Sequence, residues 1–230
     1  MHSSTSFPVV SLLLIFVAVN SSFPPSEERS EERQALVDLY HQAGGKSWRR
    51  SDNWLSSQSI CTWYGVTCSN NTATGQQRVV QFSLYDNLLE GTIPSTLGAL
   101  SEVNYFALST NKLSGNIPFT LGSTFTKCTY FDVRYNFLNG SFPPGMSNMT
   151  KLTHLVLANN EFTDDGGLVK MVQKMNHLTY IDVRSNKLFG SAPESLCSLK
   201  NITYCGLVDP KYHTNHFNRI PSCLQSRCVF

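Results

Sequence analysis

Apolar residues recur along this chain in a fixed short phrase. An alternating pair marks each copy: Phe82/Leu84, Phe106/Leu108, Phe131/Val133, Leu155/Leu157, Ile181/Val183 and Cys205/Leu207. Three positions ahead of each pair stands another apolar residue: Val79, Val103, Cys128, Leu152, Leu178 or Ile202. An asparagine follows each pair. Asn87, Asn111, Asn136, Asn160, Asn186 and Asn215 are separated by 24, 25, 24, 26 and 29 residues. Two residues beyond them come Leu89, Leu113, Leu138, Phe162, Leu188 and Phe217. The phrase is LxxLxLxxNxL, written six times in register.

The spacing predicts a short strand in each copy, with one face inward and one outward. A return path of about 20 residues brings the chain back one strand spacing away, so the strands stack in parallel. The asparagine falls where the chain leaves the strand. Its amide both donates and accepts, so it can satisfy turn groups that no strand ladder reaches. These asparagines are read as scaffold.

A second phrase repeats at one phase: Gly91-Thr92-Ile93-Pro94, Gly115-Asn116-Ile117-Pro118, Gly140-Ser141-Phe142-Pro143 and Gly190-Ser191-Ala192-Pro193, with Arg219-Ile220-Pro221 as a variant. Together the two phrases give LxGxIPxxLGxL. On these residues the chain resembles the plant-type leucine-rich-repeat family, which includes receptor-kinase ectodomains, receptor-like proteins and polygalacturonase-inhibiting proteins. The resemblance covers roughly Gln34 to Cys228 and implies an α/β repeat fold: a right-handed solenoid arc with a concave parallel sheet and an irregular convex side. The fourth unit departs from it. Asp164-Asp165-Gly166-Gly167 replaces the GxIP segment, and Leu168, Met171, Val172 and Met175 recur at helical spacing. That coil is expected to return through a short helix, capped by Asp164 or Asp165.

Solenoid ends expose a layer of apolar side chains and need covers. Glu27–Ala43 reads as a helix with Ala35, Leu36, Leu39, Tyr40 and Ala43 on one face, stopped by Gly44-Gly45. Trp48, Trp54 and Trp63 follow it. The stretch Cys61-Thr62-Trp63-Tyr64-Gly65-Val66-Thr67-Cys68 resembles the family's amino-terminal cap, which implies a Cys61–Cys68 disulfide. Cys197, Cys205, Cys223 and Cys228 cluster at the other end. Three pairings are open to them; Cys197–Cys223 with Cys205–Cys228 is preferred because it links neighbouring turns. A zinc site using His213, His216, Cys223 and Cys228 is the lesser reading, since exported thiols oxidise. Cys128 is left over and is expected to be a buried free thiol.

The export argument rests on the first residues. Phe7–Val19 is an apolar run followed by Asn20-Ser21-Ser22, the pattern of a secretory signal peptide cut near Ser21 or Ser22. It is too short for a membrane span of roughly 20 residues. The expected organisation is thus a signal peptide at 1–22, an N-terminal cap at 23–78, and six repeats over 79–228 with the C-terminal cap in 197–228. The destination is extracellular, with retention at the cell surface or wall only through a partner. Any signalling would need a membrane receptor as that partner.

Composition narrows the chemistry. Eighteen Lys and Arg against 16 Asp and Glu give a net charge of +2, and charged residues make up 15% of the 230. That excludes the concentrated basic footprint that nucleic-acid binding needs. No GxSxG, HExxH or phosphate-cradling loop occurs, so neither an enzyme nor a resident cofactor or metal is expected.

The outward positions of the strands form columns. One runs Gln81, Tyr105, Tyr130, His154, Tyr180, Tyr204; the next contains Asp132 and Asp182; the next contains Arg134 and Arg184. The column ahead of the rings is Thr129, Thr153, Thr179, Thr203. This surface suits an extracellular protein, peptide or glycan, held by ring contacts and charge-assisted hydrogen bonds. The candidate binding site is Tyr105, Tyr130, His154, Tyr180 and Tyr204 with Asp132, Arg134, Asp182 and Arg184. The alternative within the resemblance is an inhibitor of a secreted hydrolase, as polygalacturonase-inhibiting proteins are. A structural matrix protein and a glycosidase using Asp132 and Asp182 rank below it. Glycosylation sequons at Asn70, Asn139, Asn148 and Asn201 all lie outside these columns, where occupied sites would leave the concave face bare.

Overall fold

The computed structural model describes residues 29–70, 75–163, 166–209, 211 and 215–229. The expected signal peptide, the Asp164-Asp165 cap and His213 lie outside these residues.

The repeats build one seven-stranded sheet. Its strands are Val66–Asn70, Gln77–Ser83, Tyr105–Ala107, Tyr130–Asp132, His154–Val156, Tyr180–Asp182 and Tyr204–Gly206, adjacent in that order. From Gln77–Ser83 onward every pairing is parallel, as a one-directional coil requires. The first strand differs: Val66–Asn70 runs antiparallel to Gln77–Ser83 and carries Cys68. This cap strand forms the N-terminal edge of the sheet.

The asparagines lock coil to coil. Asn136 Oδ1 accepts the Leu113 N–H at 2.9 Å, while its Nδ2 donates to the Leu108 and Val133 carbonyls at 3.0 and 3.1 Å. Asn111, Asn160, Asn186 and Asn215 repeat this pattern, each accepting an N–H from the preceding coil. All are buried. The residue before Asn87, Asn111, Asn136, Asn160 and Asn186 turns the chain off the strand in the left-handed region. Asp86, Thr110, Tyr135, Asn159 and Ser185 have φ between 48° and 59°, a conformation uncommon for non-glycine residues. Its cost is offset by the continued ladder: Thr110 N–H donates to the Arg134 carbonyl and Tyr135 N–H to that of Ala158.

The flank is more regular than the resemblance implies. Segments around the GxIP phrase pair as a second parallel sheet, Glu90–Thr92, Lys112–Gly115, Phe137–Gly140 and Glu161–Phe162. Phe189–Ser191 pairs separately with His216–Arg219. Short helical turns then close each coil; the fourth coil uses the helix Gly167–Val172, with Leu168, Met171 and Val172 buried.

Between the sheets and turns runs one continuous apolar core. Phe82, Phe106 and Phe131 stack along it, and Cys128 is fully buried in it. Burial pushes the Cys128 thiol up to about 12. The N-terminal end is sealed by α1, Ser30–Gln42, which places Ala35, Leu36 and Leu39 on the core. Gly44, at φ 71°, stops the helix in the left-handed region. Trp48, Trp54 and Trp63 pack ring against ring beneath it. Glu32 fastens the cap to the first repeat. It is 1% exposed, takes the Arg78 guanidinium at 2.6 Å and also accepts the Val79 N–H.

Disulfides join Cys61 to Cys68, Cys197 to Cys223 and Cys205 to Cys228, with Cα separations of 5.4, 5.8 and 4.4 Å. Cys223 and Cys228 are thereby consumed, which removes the thiolates a zinc site would require. Among the described residues no cluster of three metal-ligating side chains occurs. Nor is any helix among them long and apolar enough to cross a membrane.

Candidate functional site

Parallel pairing without register shift puts one outward position of every coil in line. Gln81 pairs with Tyr105, Tyr105 with Tyr130, Tyr130 with His154, His154 with Tyr180, and Tyr180 with Tyr204. Strand spacing of about 4.8 Å lies close to ring-stacking distance. The five rings accordingly stack as a continuous row. Centroids are 4.4 Å apart for Tyr105–Tyr130, 5.5 Å for Tyr130–His154, 5.6 Å for His154–Tyr180 and 4.5 Å for Tyr180–Tyr204. Interplanar angles run from 8° to 33°. Each inner ring is flanked on both faces, so a ligand meets ring edges and hydroxyls.

The threonine column supports this row. Thr129 Oγ1 donates to the Asn104 carbonyl, and Thr153, Thr179 and Thr203 each donate to the carbonyl of the threonine one coil back. These hydroxyls satisfy backbone acceptors next to the rings and fix the strand ends that carry them. Thr153 Oγ1 also lies 3.0 Å from His154 Nδ1.

The aspartates are placed otherwise than an outward column suggests. Asp132 and Asp182 are 2% and 3% exposed, packed beneath the rings and already paired. Asp182 takes Arg184 bidentately, with Nε at 3.0 Å from Oδ1 and Nη2 at 2.9 Å from Oδ2. Asp132 Oδ2 accepts the Tyr130 hydroxyl and faces Arg134 Nε at 3.3 Å, while Oδ1 accepts the Arg134 N–H. Burial holds the Asp132 carboxyl above the usual carboxylate range, against the opposing pull of the Arg134 amide and guanidinium. Neither aspartate leaves a carboxyl open for acid–base work on a bound sugar, which sets the geometry against the glycosidase pairing.

The hydroxyls of Tyr130, Tyr180 and Tyr204 stay neutral well into alkali. Burial, then the negative charge of Asp132, raises Tyr130 above the ordinary tyrosine range. Burial and Asp182 raise Tyr180 and push Tyr204 up to about 12. The hydrogen bonds to Asp182 raise Arg184 likewise. The site therefore presents neutral hydroxyls and neutralised ion pairs, with the outer guanidinium edges of Arg134 and Arg184 half-exposed.

Two features escape sequence reasoning. Gly206 follows Tyr204 by two, and a Cβ there would sit 2.8 Å from Arg184 Nε and Asp182 Oδ1 and 2.9 Å from Tyr204 Oη. Its bareness makes room for the Asp182–Arg184 pair. The second is a cleft of about 410 Å³ on the flank, bordered by Leu88, Lys112, Tyr135 and Phe137. Tyr135 and Phe137 are each 55% exposed. The cleft's signal was the column after the repeat asparagines, Leu88, Lys112, Phe137, Glu161 and Lys187, where apolar and charged residues mix, whereas Gly206 falls in the column of Asp132 and Asp182.

The four sequon asparagines are all exposed, and none is a member of the ring row. Asn139 lies on the flank strand Phe137–Gly140, and Asn148 ends the turn Pro144–Asn148. Asn70 ends the antiparallel strand, and Asn201 precedes the last concave strand.

Comparison with known proteins agrees with this architecture. Residues 29–69 match the leucine-rich-repeat N-terminal domain, and residues 148–169 and 177–199 match leucine-rich repeats. The receptor protein-tyrosine kinase CEPR2 of Arabidopsis thaliana is 31% identical over 199 residues, 74% of this chain but 19% of that protein. The chain thus spans less than a fifth of that curated relative. Among solved structures, the ectodomain of the receptor kinase SOBIR1 from Arabidopsis thaliana superposes with a TM-score of 0.68 at 23% identity, covering 85% of this chain and 98% of that one. The PEPR1–AtPEP1 structure gives 0.65 at 21% identity, covering 88% and 31%. With the cap, the repeats and the solenoid in agreement, the chain belongs to the plant-type leucine-rich-repeat family.

Proposed function

We propose that the chain is an extracellular recognition module that holds an extended segment of a peptide or protein along the row Tyr105–Tyr130–His154–Tyr180–Tyr204. The observation that carries this reading is the mutual stacking of the five rings. The row is roughly 20 Å long, four steps of one strand spacing. An extended chain covers about 3.3–3.6 Å per residue, so about six residues fit along it. Hydroxyls of Tyr105, Tyr180 and Tyr204 donate to peptide carbonyls, that of Tyr130, whose proton goes to Asp132, accepts from peptide N–H groups, and the half-exposed guanidinium edges add donors at two rungs.

The stacking also ranks the ligand classes. Sugars are gripped by flat ring faces, and here the inner faces are covered by neighbouring rings. A peptide backbone needs donors and acceptors at regular intervals, which edges supply. The PEPR1–AtPEP1 structure pairs a similar solenoid with AtPEP1, and this fits the same reading. Hydrolase inhibition has no feature on this surface that favours it.

The test uses the secreted full chain, immobilised and exposed to extracellular fluid from its own tissue. Binding activity that protease treatment destroys and periodate oxidation spares supports a peptide or protein ligand. The reverse pattern overturns it in favour of a glycan.

A further inference from the structure

We infer that Asn139 carries an N-linked glycan whose first N-acetylglucosamine rests on the ring of Phe137. The inference stands apart from the ring row and rests on the extracellular reading, since the modification occurs on the secretory route.

Phe137 and Asn139 are two residues apart on the flank strand Phe137–Gly140, with Leu138 between them fully buried. Side chains at i and i+2 of a strand leave by the same face. The Phe137 ring and the Asn139 amide therefore stand side by side in solvent. The ring is 55% exposed, a large apolar surface on a strand whose next inward neighbour has none. Register places Ser114, a small residue, opposite Phe137, and Glu161 opposite Asn139. The ring thus meets no bulky cross-strand partner at Ser114, and the amide has a polar one.

The backbone suits an acceptor sequon. Gly140 has φ 74°, in the left-handed region that glycine tolerates, and Ser141 beyond it is exposed. Side-chain space at Gly140 is taken by Asn116. The other sequons lack such a ring two residues upstream: the residues there are Cys68, Met146 and Leu199, of which Met146 is fully buried and Leu199 nearly so.

The chemistry balances with a lipid-linked oligosaccharide diphosphate as donor. Asn139 Nδ2 forms a bond to the sugar C1, the C1–O bond to the diphosphate breaks, the diphosphate leaves with that electron pair, and Nδ2 gives up one proton. The apolar face of the attached sugar then covers the Phe137 ring and removes it from water, which stabilises the folded form.

The experiment is a double-variant cycle on the full chain secreted from a glycosylating eukaryotic host. Glycopeptide mass spectrometry gives occupancy at Asn70, Asn139, Asn148 and Asn201. Thermal midpoints are measured for the wild type, Asn139→Gln, Phe137→Ala, the double variant and Phe137→Tyr. Asn139 is expected to be occupied. Removing its glycan by Asn139→Gln should lower the midpoint by about 2–4 °C, the shift that a contact of ordinary strength gives in a chain this size. In the Phe137→Ala background the shift should fall below half of that, and Phe137→Tyr should restore it. Glycan at other sequons with Asn139 bare overturns this inference alone, as does an equal shift in both backgrounds. No glycan at any sequon of the secreted chain likewise overturns this inference alone, whereas failure of the host to export the chain overturns the extracellular reading and this inference with it.

Discussion

The Tyr130 hydroxyl donates to Asp132 Oδ2 at 3.2 Å, joining a ring of the half-buried row to a carboxylate 2% exposed beneath it. The raised Asp132 carboxyl fixes the sign of a pH effect. A group whose folded pKa exceeds its unfolded value contributes stability below the unfolded value, about 3.9 for aspartate, and loses it as pH rises through the folded value. At neutral pH the charged, buried Asp132 therefore subtracts from stability. Wild type should gain on Asp132→Asn as pH falls from 7 to 4. Urea unfolding at both pH values measures this; a difference that stays constant or moves the other way contradicts it.

Glu32 meets Arg78 out of water, where removing one partner leaves the other charge uncompensated. Glu32→Ala should cost about 3–5 kcal/mol and detach the cap first. Hydrogen exchange would then rise in Ser30–Gln42 before the later repeats. Uniform exchange across the chain would contradict a local fastening.

Asn136 satisfies one N–H and two carbonyls of the backbone with a single amide. Asn136→Ala strands these groups in a buried layer, and each such group costs about 1–3 kcal/mol. A loss of at least about 2 kcal/mol is expected by denaturant titration. A loss under 0.5 kcal/mol, by the same scale, would mean that the asparagines are dispensable.

Cys128 is the free cysteine among the described residues, buried and hard to ionise. Thiolate is the reactive form. Native protein at pH 8 should gain no iodoacetamide adduct, and denaturant-unfolded, unreduced protein should gain one, read by intact mass. Rapid labelling of the native form would contradict the placement.

Much of the scaffold was legible because a coil repeats its constraints. The asparagine spacing fixed the parallel register, and the columns read from it are the rows observed. The Glu32–Arg78 pair was not legible: the two residues are 46 positions apart and belong to no repeat. The flank sheet was missed because glycine and proline in the GxIP phrase read as turn, although Gly91, Gly115 and Gly140 themselves pair across coils. The burial of Asp132 and Asp182 was missed for a different reason. Alternation says which way a Cβ points, but the neighbouring rings and arginines decide whether solvent reaches it. The same limit hid the stacking of the rings, since alignment gives their spacing without their planes.

The account stands on the ring row as the surface that holds a ligand. Its most direct test is the affinity of Tyr130→Ala/Tyr180→Ala for the captured peptide or protein, with Phe189→Ala on the flank as control. Aromatic anchors of an interface are worth about 1 kcal/mol or more each, so the double variant should bind about tenfold or more weaker while it is still secreted and still folds cooperatively. Phe189→Ala should bind as wild type does. Undiminished affinity in the double variant, or an equal loss in Phe189→Ala, would contradict the account.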